Sequence, residues 1–127
     1  MELDNLKKYS PAVARGGVGF VFLVFALWQI IYPESWIGYL PGFVYSIGIS
    51  VKTLIILNGA LDLLIGLGLI LGVFVRISSL LGMLHLIGIV GSLGWNDVSV
   101  RDLGLLIVLI SVFLNGEDRF CLGRRWK

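Results

Sequence analysis

The sequence predicts an all-α integral membrane protein, an antiparallel bundle of four transmembrane helices. Hydrophobic residues make up 57% of the 127-residue chain and charged residues only 14%, against roughly 25% charged residues in ordinary soluble domains. The mean hydropathy is +0.96. A soluble domain of this length leaves much of its surface in water, so it cannot bury this much apolar area. The composition therefore excludes an ordinary soluble enzyme and a disordered chain.

Three long apolar stretches predict bilayer-spanning helices, which need about 20 mainly apolar residues. Ionisable side chains are rare inside them. Arg15 lies one turn from the start of the first stretch, Asp62 lies within the second, and His85 lies within the third. The predicted spans cover residues 12–32, 51–75 and 77–95.

A fourth span is predicted over residues 98–116. Its uncharged core, residues 103–114, is short enough for a buried helix of a soluble protein, and Arg101 and Asp102 lie at its mouth. We interpret it as a span because it follows three clear ones. The four helices would then form one transmembrane domain over residues 1–127.

The connection between the first two spans, residues 33–50, predicts a short capping helix or re-entrant segment on the outer face. Pro33 and Pro41 break any long helix there. The segment is nevertheless too apolar for a free loop. The second and third spans are joined so tightly, near Arg76, that they must form an antiparallel hairpin.

The distribution of lysine and arginine predicts the orientation of the bundle. Only Lys52 and Arg101 fall on one side of the predicted spans. We therefore expect a multi-pass protein of the cell membrane with both termini in the cytoplasm and the lipid bilayer as its partner. The net charge of +2 gives no sign of a nucleic-acid partner. The basic residues on the cytoplasmic side are Lys7, Lys8, Arg15, Arg76, Arg119, Arg124, Arg125 and Lys127.

Small and polar residues fall on one face of each of the first three spans at helical spacing. In lipid, close packing of such faces takes the place of the hydrophobic effect between helices. We expect the three faces to meet in the middle of the bundle. They consist of Arg15, Gly19, Phe22, Ala26 and Gln29; of Asn58, Asp62 and Gly66; and of Ser78, Gly82, His85, Gly88 and Ser92.

Polar residues within or beside the spans form a candidate ligand-binding site. An unpaired aspartate costs several kcal/mol inside a bilayer, so ionisable residues there mark functional sites by default. At about 1.5 Å per residue, five of the six converge in the outer half, and His85 lies closer to the cytoplasmic side than Asp62. The candidate residues are Gln29, Asn58, Asp62, His85, Arg101 and Asp102.

Each candidate also has a structural interpretation. Asp62 either binds a headgroup or passes a proton, or it locks the bundle through Asn58, Gln29 or Arg101. His85 is either a packing residue or a proton shuttle, and Arg101 either orients the fourth span or faces Asp62 as its cation. One histidine and one cysteine give no basis for a metal site. Without a second thiol, the chain cannot run a dithiol–disulfide cycle alone.

Three segments resemble motifs of the DoxX-like family of small four-helix membrane proteins. Arg15, Gly19 and the FALWQI at 25–30 are similar to the family's "R-x3-G … aGl-x-K" opening, with Gln29 where lysine is frequent. NGALDLLIGLGLILGVFVR at 58–76 resembles "G-x-x-E-l-x-x-G-l-l-l-x-l-G-x-x-x-R", with Asp62 in place of glutamate. VRDLGLLIVLISVFLNGEDRFCL at 100–122 resembles the "RDlgLL … lnG … r-l-s-l" tail.

The resemblance implies a four-helix bundle associated with redox enzymes, since members include a subunit of thiosulfate:quinone oxidoreductase. Our leading hypothesis is a membrane subunit that anchors or supports a redox complex and offers a quinone-type headgroup a pocket around Asp62. Any part in catalysis would be that of a non-catalytic or quinone-interacting subunit. One alternative is a structural scaffold or assembly factor without a ligand. The other is a small transporter, which would need a homo-oligomer to line a path.

Overall fold

The computed structural model describes residues 2–125 and confirms an all-α fold of four main helices packed antiparallel. Lys127, one of the predicted cytoplasmic basic residues, lies outside the described residues. Short 3-10 helices precede the first main helix and connect it to the second, and a single helical turn, α5, follows the fourth. The main helices are α1 (Ser10–Ile31), α2 (Val51–Leu71), α3 (Val75–Leu93) and α4 (Asp97–Asn115), and α5 covers Leu122–Arg125.

Helix α1 packs most extensively against α2, and its predicted small and polar face is buried. Pro11 lies in the first turn, where its missing N–H leaves no helical hydrogen bond unmade. The two backbones approach closely at Gly19 and Gly66. A Cβ at Gly66 would lie 2.9 Å from the backbone nitrogen of Leu23, so only glycine allows this approach.

The turn between α2 and α3 lies earlier in the chain than the sequence predicted. Helix α2 ends at Leu71, four residues before the predicted end at Val75, because Gly72 adopts the left-handed conformation (φ +72°) that commonly ends helices. Helix α3 then begins at Val75, two residues earlier than predicted. The turn therefore lies at residues 72–74, and Arg76 belongs to the first turn of α3.

Helix α4 forms at the predicted place and is capped by Asn96, whose side chain accepts a hydrogen bond from the backbone N–H of Ser99 at 3.0 Å. Within residues 2–125, three helical segments are long and apolar enough to cross a membrane, and they contain α1, α2 and α3. Helix α4 differs because its first two turns carry Asp97, Arg101 and Asp102. Its crossing of the membrane stays a prediction.

The segment between α1 and α2 forms two 3-10 helices, Pro33–Tyr39 and Gly42–Ser46, as the sequence predicted for a short capping element. We call residues 33–50 the cap. An ion pair of 3.1 Å between Glu34 and Lys52 connects the cap to the first turn of α2. A hydrogen bond from its own backbone and the hydrogen bond from the Lys52 side chain lower the pKa of the Glu34 carboxyl.

Contacts between distant parts of the chain bring both ends together at one end of the bundle. The ring of Tyr9 stacks on that of Phe120 at 5.3 Å between centroids, and Arg15 pairs with Asp118 at 2.8 Å. Arg76, beside the α2–α3 turn, donates to the carbonyl oxygen of Phe113 at 3.2 Å. The cap and the start of α4 therefore lie at the opposite end of the bundle.

The outer surface of the bundle is apolar on all four main helices. Each of these helices exposes large hydrophobic side chains, an arrangement expected where lipid covers the surface. Helix α4 shares this property with the three more apolar helices, which favours its crossing of the bilayer. Examples from α1 to α4 are Phe20, Leu64, Leu84 and Ile107.

Candidate functional site

A cavity of about 750 Å³ lies at the cap end of the bundle, and all four main helices and the cap line it. Its walls are mostly apolar and aromatic, with a small number of polar side chains. Small-molecule sites have this character and commonly occupy about 300–1,000 Å³. Every residue of the sequence-predicted site lines this one cavity: Gln29, Asn58, Asp62, His85, Arg101 and Asp102.

Asp62 belongs to a polar network in which hydrogen bonds connect α1 with α2 and a close contact reaches α3. Its Oδ2 accepts a hydrogen bond of 2.7 Å from Nε2 of Gln29, and Oε1 of Gln29 accepts one of 2.6 Å from Nδ2 of Asn58. Its Oδ1 lies 3.0 Å from Nε2 of His85. Since the Asn58 amide occupies the oxygen of Gln29, the Gln29 amide nitrogen must face Asp62.

The contact between Asp62 and His85 corrects the sequence-based depths, which separated the two residues. The physical reason is the early end of α2 and the early start of α3. Asp62 lies nine residues before the end of α2, and His85 ten residues after the start of α3. At about 1.5 Å per residue, both side chains therefore lie about 14–15 Å from the turn.

Arg101 pairs with its neighbour Asp102 rather than with Asp62. Its Nε and Nη2 lie 3.1 and 3.0 Å from Oδ1 of Asp102. The guanidinium carbon lies 4.7 Å from the ring centroid of Phe25, close enough for a cation–π contact. Asp62 therefore accepts a hydrogen bond from Gln29 and has His85 of α3 as its ionisable neighbour. The pairing of Asp62 with Arg101 does not form.

Four buried polar atoms lack a hydrogen-bond partner among the described residues, and the residues that carry them all line the cavity. They are Nε1 of Trp36, Oδ1 of Asp62, Nε2 of His85 and Oδ2 of Asp102. The atoms of Asp62 and His85 face each other at 3.0 Å without hydrogen-bond alignment. A buried polar atom without a partner costs about 1–3 kcal/mol, so this concentration requires an explanation.

Trp36, in the cap, is a cavity residue that the sequence analysis did not include in the candidate site. Its ring meets Phe25 and Trp28 edge-on, at 5.6 and 5.8 Å between centroids, and lies 5.6 Å from Tyr39. The apolar composition of the cap was the signal for this position, because an apolar segment on the outer face buries its rings by turning them toward the helices. Trp95 stays fully on the surface, with 78% of its area exposed.

A second buried network lies at the other end of the bundle, where the sequence offered no partner for Arg15. Arg15 donates to both carboxylate oxygens of Asp118, at 2.8 and 3.2 Å, and to the carbonyl oxygens of Leu69 and Ile70. Burial favours a raised pKa for Asp118, but hydrogen bonds from Arg15 and from the N–H of Phe120 outweigh it and lower the pKa.

The thiol of Cys121 accepts a hydrogen bond from the backbone N–H of Asp118 at 3.3 Å. Burial raises the pKa of this thiol, which disfavours the reactive thiolate. Among residues 2–125, no three histidine, cysteine or acidic residues are grouped as a metal site would need. The hydrogen bonds of Arg15 connect the segment after α4, which includes Cys121, with the ends of α1 and α2.

Chemically, the cavity is suited to an amphipathic molecule with a flat head. Aromatic rings such as Phe25, Trp36 and Tyr39 provide apolar walls, while Asp62 and Asp102 provide polar contacts.

No protein-family model, curated protein or solved structure matches the chain.

Proposed function

We propose that this protein is a DoxX-like membrane subunit that binds a quinone-type headgroup in the capped cavity and thereby anchors or supports a redox complex. The observation that carries the proposal is the concentration of four partnerless buried polar atoms around one aromatic-lined cavity. A bound head would supply partners for those atoms. The hydrophobic tail of the ligand would extend from the cavity into the lipid bilayer.

The side chains around the head have distinct roles in this proposal. Asp62 and the Arg101–Asp102 pair orient the polar groups of the ligand. Gln29 and Asn58 hold the carboxylate of Asp62 in place through their hydrogen bonds. His85, 3.0 Å from Asp62, exchanges a proton with the ligand.

The resemblance of the Arg15, Asp62 and Arg101–Asp102 segments to DoxX-like motifs supports the association with a redox partner. The excess of basic residues at the end that holds both termini supports an orientation with that end in the cytoplasm. The cavity would then lie in the outer half of the cell membrane, where a lipid-soluble quinone can reach it.

The test is quinone binding by the purified protein in lipid nanodiscs, with Asp62→Asn as the test variant. We expect the wild-type chain to bind a short-tailed quinone in its reduced, quinol form and Asp62→Asn to weaken that binding about tenfold or more, since it removes a hydrogen bond to a charged group. The matched control is Asp97→Asn, which removes the same charge from an exposed position outside the cavity. Unchanged binding by Asp62→Asn would refute the site.

The chain of hydrogen bonds through Gln29, Asn58 and Asp62 also favours a second candidate, a structural scaffold or assembly factor. In that case these hydrogen bonds serve only to hold α1 and α2 together. Asp62→Asn would then lower the unfolding temperature in detergent, and neither variant nor wild type would bind quinone. Native mass spectra of protein from its own membranes separate the two, because a retained quinone or redox subunit supports only the first.

A further inference from the structure

We infer that the cavity selects a head that donates hydrogen bonds, namely the hydroquinone form, over the oxidised quinone. This inference rests on the proposed function, because it concerns the same cavity, and it adds the redox form that the site prefers. It follows from the kinds of polar atom that the cavity presents and from their existing partners.

Asp102 presents an acceptor with no donor. Its side chain is buried, and Arg101 donates twice to Oδ1. The carboxylate that pairs with the Arg101 guanidinium can only accept hydrogen bonds. Its Oδ2 has no partner among the described residues, so a ligand must bring a donor to satisfy it.

Asp62 presents a second acceptor of the same kind. The Gln29 amide donates to Oδ2, and the amide cannot reverse without breaking the hydrogen bond from Asn58 to its oxygen. Oδ2 thus acts as an acceptor, and in a carboxylate Oδ1 is one as well. Oδ1 is therefore an acceptor whose one close polar neighbour is Nε2 of His85, at 3.0 Å.

The donors that face the cavity are compatible with a hydroxyl group as well. The indole Nε1 of Trp36 can only donate, and it has no partner. A hydroxyl accepts from such a donor while giving its own proton to a carboxylate. A quinone carbonyl can satisfy Trp36 but sets its lone pairs against those of Asp62 and Asp102.

The charges of the cavity act in the same direction. Two carboxylates, Asp62 and Asp102, face one permanent cation, Arg101. Within residues 2–125, the further ionisable side chains that line the cavity are His85 on α3 and Tyr39 in the cap. Carbonyl oxygens carry negative partial charge, whereas hydroxyl hydrogens carry positive partial charge. The oxidised head is therefore repelled where the reduced head is attracted.

The experiment compares three probes with the same decyl tail by anaerobic calorimetry in nanodiscs: decylbenzoquinol, decylbenzoquinone and the dimethyl ether of the quinol. The ether keeps the reduced aromatic ring and the oxygen positions of the quinol, but methyl groups replace both hydroxyl hydrogens, so it has no donor. We expect the quinol to bind at least about tenfold more tightly than either other probe, the usual effect of a hydrogen bond to a charged group.

Asp102→Asn identifies the acceptor. Asparagine can donate from its amide, so the variant should lose a large part of the preference for the quinol, while Asp62 retains the remainder. Asp97→Asn is the matched control and should keep the wild-type order of affinities.

Equal or tighter binding of the quinone by the wild-type protein would overturn the inference and leave the proposed function intact. Failure of all three probes to bind would overturn both. Because these comparisons use the wild-type chain, they hold even if a variant fails to fold.

Discussion

At the scale of single residues, the best-defined interaction is the buried pair of Arg15 and Asp118. Only 5% and 4% of their side-chain areas are exposed. Arg15 also donates to the last carbonyl oxygens of α2, which are the groups that a helix leaves without internal partners. One guanidinium thus connects the start of α1, the end of α2 and the segment that follows α4.

Asp118→Asn should destabilise the protein by about 3–5 kcal/mol, because it leaves the Arg15 charge buried without its counter-ion. The unfolding temperature in mild detergent measures this effect. Asp4→Asn is the control, since the ion pair of Asp4 with Lys7 is on the surface and such pairs contribute little. An Asp118→Asn protein as stable as the Asp4→Asn protein would contradict the assignment.

The same pair predicts how stability depends on pH. The pKa of Asp118 is lower in the folded state than its ordinary value of 3.8, so the unfolded state takes up the proton first as the pH falls. The stabilisation is complete above the ordinary pKa and is lost as the pH falls through the folded pKa. Asp118→Asn should flatten the acid side of the curve of unfolding temperature against pH.

At the scale of elements, the turn between α2 and α3 determines the site that lies ten residues away. Gly72 ends α2 with a positive φ, and this early end is what brings Asp62 level with His85. Gly72 also packs against the C-terminal segment, where Gly123 donates its N–H to the carbonyl oxygen of Gly72 at 3.0 Å. The turn therefore sets the position of Asp62 in one polar network and contacts the C-terminal segment that follows Asp118 of the other.

Gly72→Ala should destabilise the protein by roughly 2–5 kcal/mol. Alanine in the left-handed conformation costs about 1–2 kcal/mol, and overpacking adds about 1–3 kcal/mol, since the new Cβ would lie 2.6 Å from Cα of Cys121. Gly91→Ala on α3 is the control, because nothing lies within 4 Å of a Cβ there. Similar unfolding temperatures for the two variants would refute this role of Gly72.

At the scale of the whole molecule, the contacts between Tyr9 and Phe120 and between Arg15 and Asp118 place both chain ends at the same end of the bundle. A chain that starts and finishes at one end crosses the bundle an even number of times. If α1, α2 and α3 cross the membrane, α4 must then cross it too, despite the charges in its first two turns.

This arrangement predicts the labelling of single cysteines in intact cells by a membrane-impermeant maleimide. In a Cys121→Ser background, Tyr45→Cys in the cap should react from outside, whereas Lys8→Cys and Arg124→Cys should react only after permeabilisation. All three positions are exposed on the isolated chain. Reaction of Arg124→Cys from outside, with Lys8→Cys protected, would mean that α4 does not cross.

Hydropathy and helical spacing were enough to predict much of the fold and the membership of the candidate site. The apolar stretches predicted four helices, the prolines predicted the cap, and the face of α1 from Arg15 to Gln29 is buried as expected. These features depend on properties that act along a single helix. The role of Trp36 escaped the same reasoning because its ring faces inward only once the cap covers the bundle.

By itself, the sequence determined that this protein belongs to the membrane class, is all-helical and has one set of polar residues among its apolar helices. Those properties follow from composition and periodicity, which each segment carries alone. Only the tertiary structure decided that His85 rather than Arg101 faces Asp62, that Arg15 pairs with Asp118, and that a cavity lies beneath the cap. Such pairings depend on where helices end and on how their faces meet, and a shift of four residues at Gly72 changes the depth of a side chain by about 6 Å.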